Sequence, residues 1–269
     1  MKKLLALVLA ALMLLCLVAC NKEKEDDTDV TDVKGNTAVV EDMIYNNFKY
    51  GVNESGMYEI TGYIPTSADL VSLTVPSEIA GRPVTGIGDN AFKASRNLKE
   101  ITLPSTITYI GEFAFYDCDY MTAITLPNSV KTIKKAAFEN CDALTTVTFS
   151  SELTTIGERA FYECKALANV TLPEKLAEIG TGAFYNCDAL TAITIPASVT
   201  TIGDLAFYEC SALASVVAPA TDATLGAAIF TQTADEMVLT APADSTFAKY
   251  GEANHYEVAE PAPAPAPAE

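Results

Sequence analysis

The chain contains no tryptophan and a single histidine, His255, among 269 residues. That scarcity removes most histidine-based catalysis and every histidine-rich metal site. Bases are scarce too. Seventeen Lys and Arg face 35 Asp and Glu, a formal net charge of −18. A surface that acidic repels phosphate backbones and argues against a nucleic-acid partner. No G-x-S-x-G elbow, H-E-x-x-H pair or phosphate-binding loop occurs. His255 lies beyond the repeats, and carboxylates are too numerous to single out a catalytic pair. The sequence therefore reads as a non-enzyme without a cofactor. Apolar residues are plentiful at 49%, enough to bury a core.

No apolar run reaches the ~20 residues of a comfortable membrane span. The longest, Leu4–Ala19, follows the basic pair Lys2-Lys3 and ends Leu17-Val18-Ala19-Cys20 before the polar Asn21–Asp27. This is the layout of a secretory signal peptide. Its last four residues resemble a bacterial lipobox, which implies that Cys20 becomes the lipidated first residue of the mature chain. An ordinary signal peptide or an uncleaved anchor is the alternative. Cleavage after Ala19 removes two lysines and leaves 15 bases against 35 acids, a net −20. Residues 20–37 then form a flexible acidic tether. The protein is expected outside the cytoplasm, lipid-anchored to a bacterial membrane and exposed at the cell surface.

Seven cysteines are an odd number. Cys16 is discarded with the signal and Cys20 is lipidated. The others, Cys118, Cys141, Cys164, Cys187 and Cys210, recur every 23 residues. The same period aligns other columns. Ala-Phe recurs from Ala91-Phe92 through Phe115, Phe138, Phe161, Phe184 and Phe207, with Ile229-Phe230 continuing the count. Ile-Gly recurs at Ile110-Gly111, Ile156-Gly157, Ile179-Gly180 and Ile202-Gly203, and Lys134 breaks the Gly column. Pro closes an apolar triplet in most units, and Ser150 is the exception. One unit reads L-x-x-[IV]-x-[LFI]-P-x-x-[ILV]-x-x-I-G-x-x-A-F-x-x-C-x-x. A fixed period in the twenties with this many Leu and Ile positions is the signature of a leucine-rich-repeat solenoid.

The unit resembles the BspA-like, or Treponema pallidum-type, leucine-rich repeats over residues 62–250. It departs from the commoner pattern in carrying Pro and Cys where many other repeats carry Asn. The expected fold is a solenoid of about seven to eight 23-residue repeats. The [IV]-x-[LFI] pieces alternate as half-buried strands do. They are expected to stack as one narrow parallel sheet on one face, with short helical or irregular turns carrying Ala-Phe on the other. Residues 38–61 read as an N-terminal cap. Within it, Phe48–Val52 and Met57–Tyr63 flank Asn53-Glu54-Ser55-Gly56 as a hairpin, and 38–46 as a short helix. Asp244 is placed as the cap of a short C-terminal helix through Tyr250. Residues 251–269, ending in alternating Pro and Ala, read as a disordered tail.

Three constellations invite function. The cysteine ladder is in disulfide range between neighbouring coils, but five thiols cannot all pair. Their column is occupied by Ser95 and Thr233 at its ends, so buried structural thiols fit better. Tyr116, Tyr162, Tyr185 and Tyr208 form an aromatic stripe next to acids and amides. It is suited either to sugars and cations or to half-buried packing. Thr fills the outward strand positions. Together with the variable rank two residues earlier, it gives a candidate binding face of Glu100, Thr102, Thr125, Thr146, Thr148, Asn169, Thr171 and Thr194. The variable rank forms no lattice that could order water, and no loop has calcium-loop spacing.

The resemblance implies adhesion to host or neighbouring-cell surfaces. The expected partners are the membrane, through the lipid anchor, and a protein or glycan ligand at a surface. Capture of glycan or peptide for a transporter, or passive scaffolding of the envelope, are the alternatives.

Overall fold

The computed structural model describes residues 43–66, 71–219 and 222–262, all within a single compact unit. The signal peptide, Cys20, the tether, residues 38–42 and residues 263–269 lie outside the described residues.

The cap is a three-stranded antiparallel meander. β1 (Met43–Tyr45) pairs with β2 (Phe48–Val52), and β2 pairs with β3 (Tyr58–Tyr63). The β2–β3 hairpin is the one expected. Asn53 fixes its loop by accepting from the Ser55 and Met57 N–H groups at 3.1 and 3.0 Å. The expected helix over 38–46 is corrected where it can be seen, because Met43–Tyr45 is a strand. The turn that follows explains why. Asn46 and Asn47 both adopt left-handed backbone, φ 49° and 66°, as a two-residue type I′ hairpin requires. β3 then pairs in parallel with Arg82–Ile87, and the meander becomes the first rung of the solenoid.

The expected sheet arrangement needs correction. The continuous parallel ladder runs through the Ile-Gly column, not through the [IV]-x-[LFI] pieces. Arg82–Ile87, Tyr109–Ile110, Thr132–Ile133, Thr155–Ile156, Glu178–Ile179, Thr201–Ile202 and Thr224–Leu225 follow one another without a break. The expected strands also form, and their outward Thr alternates with buried Ile or Val. Their wall is broken into three sheets, however. Val71–Thr74 pairs with Leu98–Thr102, and Ala123–Thr125 with Thr146–Thr148. Four strands follow from Ala192–Thr194 through Ser215–Val217 and Val238–Thr240 to Glu257–Ala259.

Glycine accounts for the difference. A Cβ on Gly180 would lie 2.5 Å from the Glu158 nitrogen, and one on Gly203 2.4 Å from the Thr181 nitrogen. On that wall coils approach to backbone contact, which glycine eases at most positions; the ladder also continues through Lys134, the exception in the column. The Thr wall has no such column of glycines, and its ladder lapses in two places.

A third wall carries the turns. Each column Phe N–H donates to the carbonyl one coil on, for example Phe138 to Ala160 at 2.8 Å and Phe161 to Ala183 at 2.8 Å. The rings of Phe92 through Phe230 stack face to face, with successive centroids 5.1–5.6 Å apart. This stack, with the Leu and Ile columns, is one unbroken core. No coil can bury its own apolar face, so stability resides in the contacts between coils.

The C-terminal end is covered rather than loose. Helix α1 (Thr246–Ala253) is capped by Ser245, not Asp244, whose hydroxyl accepts the Ala248 N–H at 3.1 Å. The helix outlasts the expected Tyr250, because Phe247, Ala248 and Gly251 are buried against the last coil. The tail boundary at 251 is likewise corrected. Glu257–Ala259 adds a strand in parallel to Val238–Thr240, and Tyr250 and Tyr256 close the end of the Phe stack edge-on. Apolar Tyr256 and Val258 pull this segment onto the core before the Pro-Ala run begins.

Candidate functional site

All five repeat cysteines are free thiols with no exposed surface. Each Sγ donates to a Phe carbonyl of the preceding coil: Cys118 to Phe92 at 3.2 Å, Cys141 to Phe115 at 3.1 Å, Cys164 to Phe138 at 3.0 Å, Cys187 to Phe161 at 3.3 Å and Cys210 to Phe184 at 3.1 Å. The column therefore holds a small side chain with one polar hydrogen; at its end Thr233 Oγ1 donates instead to the Phe230 carbonyl of its own coil at 2.9 Å. Burial pushes the Cys118 thiol up to about 12, and those of Cys141 and Cys187 well up too. Such thiols pack rather than react. Among the described residues no three of His, Cys, Asp and Glu are grouped to hold a metal ion. No helix there is long and apolar enough to cross a membrane.

The tyrosine stripe is also consumed largely by packing. Tyr162 and Tyr185 stack at 4.5 Å, and Tyr185 and Tyr208 at 5.1 Å. The Arg159 guanidinium covers the free face of Tyr162 at 4.0 Å and reaches Glu139 at 2.6 Å. Glu139 is the buried acid that interrupts the stripe, and burial raises its carboxyl even though Arg159 opposes the shift. Tyr116 stands apart under Lys93. Both faces of Tyr162 and of Tyr185 are covered in this way, so a sugar cannot lie flat on either ring.

The Thr wall is different. Glu100, Thr102, Thr125, Thr146, Thr148, Asn169, Thr171 and Thr194 are all exposed, on one wall of successive coils. The structure brings together the central part of this set. Thr146, Thr148, Asn169 and Thr171 border a groove of about 710 Å³, whose apolar lining includes Phe149, Leu172 and Pro173. A smaller depression of about 310 Å³ continues it past Thr171 and Leu172 to Ala192 and Thr194.

The groove lies at one of the two breaks in the Thr-wall ladder, the other falling after Leu98–Thr102. Leu126, Ile195 and Ala218 donate their N–H groups to the next coil at 2.8–2.9 Å. The equivalent N–H groups of Phe149 and Leu172 find no backbone acceptor among the described residues, and only an isolated bridge joins Thr146 to Asn169. Two exceptions to the repeat fall at the same place. Phe149 stands where other coils carry Leu, Ile or Ala, and Ser150 where they carry Pro. The Phe149 ring is half-buried and set edge-on to Phe161, with centroids 5.7 Å apart. It forms part of the floor of the groove. Sequence reasoning identified the face but missed the groove. The signal was present in the coincidence of both exceptions in one unit.

A second cavity, about 320 Å³, lies between the cap hairpin and the first coils. Its polar groups already serve one another. Tyr109 hydrogen-bonds Glu59, and Lys134, the exception in the Gly column, reaches Asp89 at 3.7 Å. Asp89 also accepts the Glu112 N–H at 2.8 Å. This cavity reads as the joint between cap and solenoid.

Comparison with known proteins agrees with this geometry. A family model described as a BspA type leucine rich repeat region matches residues 85–214 and 131–247, in six copies. Among solved structures, the Treponema pallidum leucine-rich-repeat protein is 26% identical over 81% of this chain and 98% of its own, with a TM-score of 0.66. A leucine-rich cell surface protein from Faecalibacterium prausnitzii is 29% identical over 76% of this chain and 55% of its own, with a TM-score of 0.64. A leucine-rich-repeat protein from Bacteroides ovatus is 27% identical over 77% and 60%, with a TM-score of 0.56. The chain thus spans little more than half the length of the latter two. No curated protein matches it.

Proposed function

The chain belongs to the BspA-type leucine-rich-repeat proteins, and from that premise we propose that it is a lipid-anchored surface protein that adheres to host or neighbouring-cell surfaces. Its solenoid binds another macromolecule through the Thr wall. The observation that carries this reading is the groove at Thr146, Thr148, Asn169 and Thr171. It is a place where exposed polar side chains, apolar surface and an interrupted backbone ladder coincide. A stiff stack fixes these groups in space, so little ordering opposes binding there.

Cys20 anchors the chain and the acidic segment after it holds the solenoid clear of the bilayer, consistent with a mature net charge of −20 that an anionic leaflet repels. The description of one similar protein as a cell surface protein supports this address. The role is one of binding rather than catalysis. Capture for a transporter fares less well on the tyrosine stripe, whose ring faces are already stacked.

The test is adhesion of the full lipidated chain to immobilised extracellular-matrix and bacterial surface proteins. Binding that is lost in Thr148→Arg and retained in Tyr185→Phe supports the proposal. Equal binding by both variants, or none by the wild type, refutes it.

A further inference from the structure

The lining of the Thr-wall groove is nearly neutral on a chain of net charge −18. At its rim Lys175 Nζ lies 2.6 and 2.8 Å from the two Glu152 carboxylate oxygens. That pair cancels internally, and Glu174 is the one lining charge left over. The exposed hydroxyls of Thr146, Thr148 and Thr171 and the amide of Asn169 make no hydrogen bond among the described residues. They form two ranks, two residues apart along the chain and one coil apart across it. Beside them Phe149 and Leu172 supply apolar surface, and their N–H groups lack backbone acceptors.

Uncharged donors and acceptors in an array over a partly apolar floor are what a sugar ring needs. Its hydroxyls take the Thr and Asn groups, and its C–H face takes the aromatic ring. An anionic ligand would meet the field of the whole acidic chain, and a cationic one would find a single carboxylate. An added peptide strand needs an open sheet edge running along its length, whereas this gap lies between coils that remain stacked on both other walls.

We infer that the groove recognises neutral oligosaccharide, so that the surface partner is bound through its glycans. This deepens the proposed function and rests on it. The volume, about 710 Å³ with a further 310 Å³ alongside, is within the range of small-ligand sites.

The experiment applies the full chain to immobilised neutral hexose and N-acetylhexosamine oligosaccharides, to their sialylated and sulfated counterparts, and to enzymatically deglycosylated surface proteins. The inference expects binding to neutral oligosaccharides that changes little with salt. It expects that binding to weaken about tenfold or more in Asn169→Ala, which loses hydrogen bonds to the sugar. Phe149→Leu restores the repeat residue, folds for that reason, and weakens binding similarly by removing the aromatic ring from the floor. Lys249→Ala, exposed on helix α1 and outside the groove lining, binds as wild type. Binding to deglycosylated proteins that is lost in the groove variants overturns the glycan assignment and leaves the proposed function standing. Preference for the acidic glycans also overturns it. Absence of binding in every arm overturns both.

Discussion

Gly180 and Glu158 lie so close that a Cβ on the glycine would sit 2.5 Å from the Glu158 backbone nitrogen. Two residues on, Gly182 has left-handed backbone, φ 60°, but its Cβ would meet nothing nearer than 3.7 Å. Only Gly180 sits at a close approach; positions equivalent to Gly182 carry Ala136, Arg159 and Leu205 with the same left-handed backbone, φ 52°, 55° and 58°. Gly180→Ala forces coils apart and is expected to cost ~1–3 kcal/mol or more, as overpacking does. Gly182→Ala meets only backbone strain, ~1–2 kcal/mol. Urea unfolding of both variants measures the difference, and the reverse order would remove the close-approach explanation of the continuous sheet.

The Phe stack bears the core. Phe161 lies between Phe138 and Phe184 at 5.2 and 5.3 Å and is fully buried. Phe161→Ala should destabilise by ~3–5 kcal/mol. Thr148→Ala, outward on the Thr wall, should change stability by less than ~0.5 kcal/mol. Equilibrium denaturation checks both, and a cost under ~1 kcal/mol for Phe161→Ala would contradict the column assignment.

These columns were legible because the 23-residue period forces equivalent residues into equivalent environments. Phe92 through Phe230, the five cysteines and the outward Thr rank all lie where the period puts them. Continuity of the walls was not legible, because it depends on spacing between coils rather than on alternation within one. The Thr-Ile and Glu-Ile pairs before each glycine are too short to signal strands by pattern. Backbone approach between coils, close at Gly157, Gly180 and Gly203, accompanies their assembly into the main ladder. Likewise Tyr162, Tyr185 and Tyr208 were visible as a stripe, but their mutual stacking, which hides their faces, depends on rotamers. Asn46-Asn47 was a readable type I′ signal that a helix assignment obscured.

The thiol ladder predicts a pH dependence. Unfolded thiols ionise near pH ~8.5, whereas Cys118 is raised to about 12 by burial. A raised folded-state value favours the neutral form. Its contribution to stability is fully present below pH ~8.5 and is lost as pH rises from there through about 12. Cys118→Ser, which retains a donor for the Phe92 carbonyl, should show a shallower fall in stability over that alkaline range. The folded protein should also resist alkylation at pH ~8 and become reactive in denaturant. Equal slopes, or rapid alkylation of the native chain, would place these thiols outside the core.

The proposed anchor gives an independent prediction. Cys20→Ser should abolish incorporation of labelled fatty acid and release the chain from the membrane fraction, while the cooperative unfolding transition stays unchanged. Labelling that persists in this variant would remove Cys20 as the anchor.

The central claim is that the recognition surface is the opened Thr wall around Phe149 and not the stacked tyrosine wall. Hydrogen exchange of the full chain, free and bound to a captured surface partner, tests it most directly. The account predicts new protection confined to the coils carrying Thr146–Phe149 and Asn169–Lys175, with the Tyr162, Tyr185 and Tyr208 turns unchanged. Protection centred on those tyrosine turns, with the Thr wall unaffected, would contradict it.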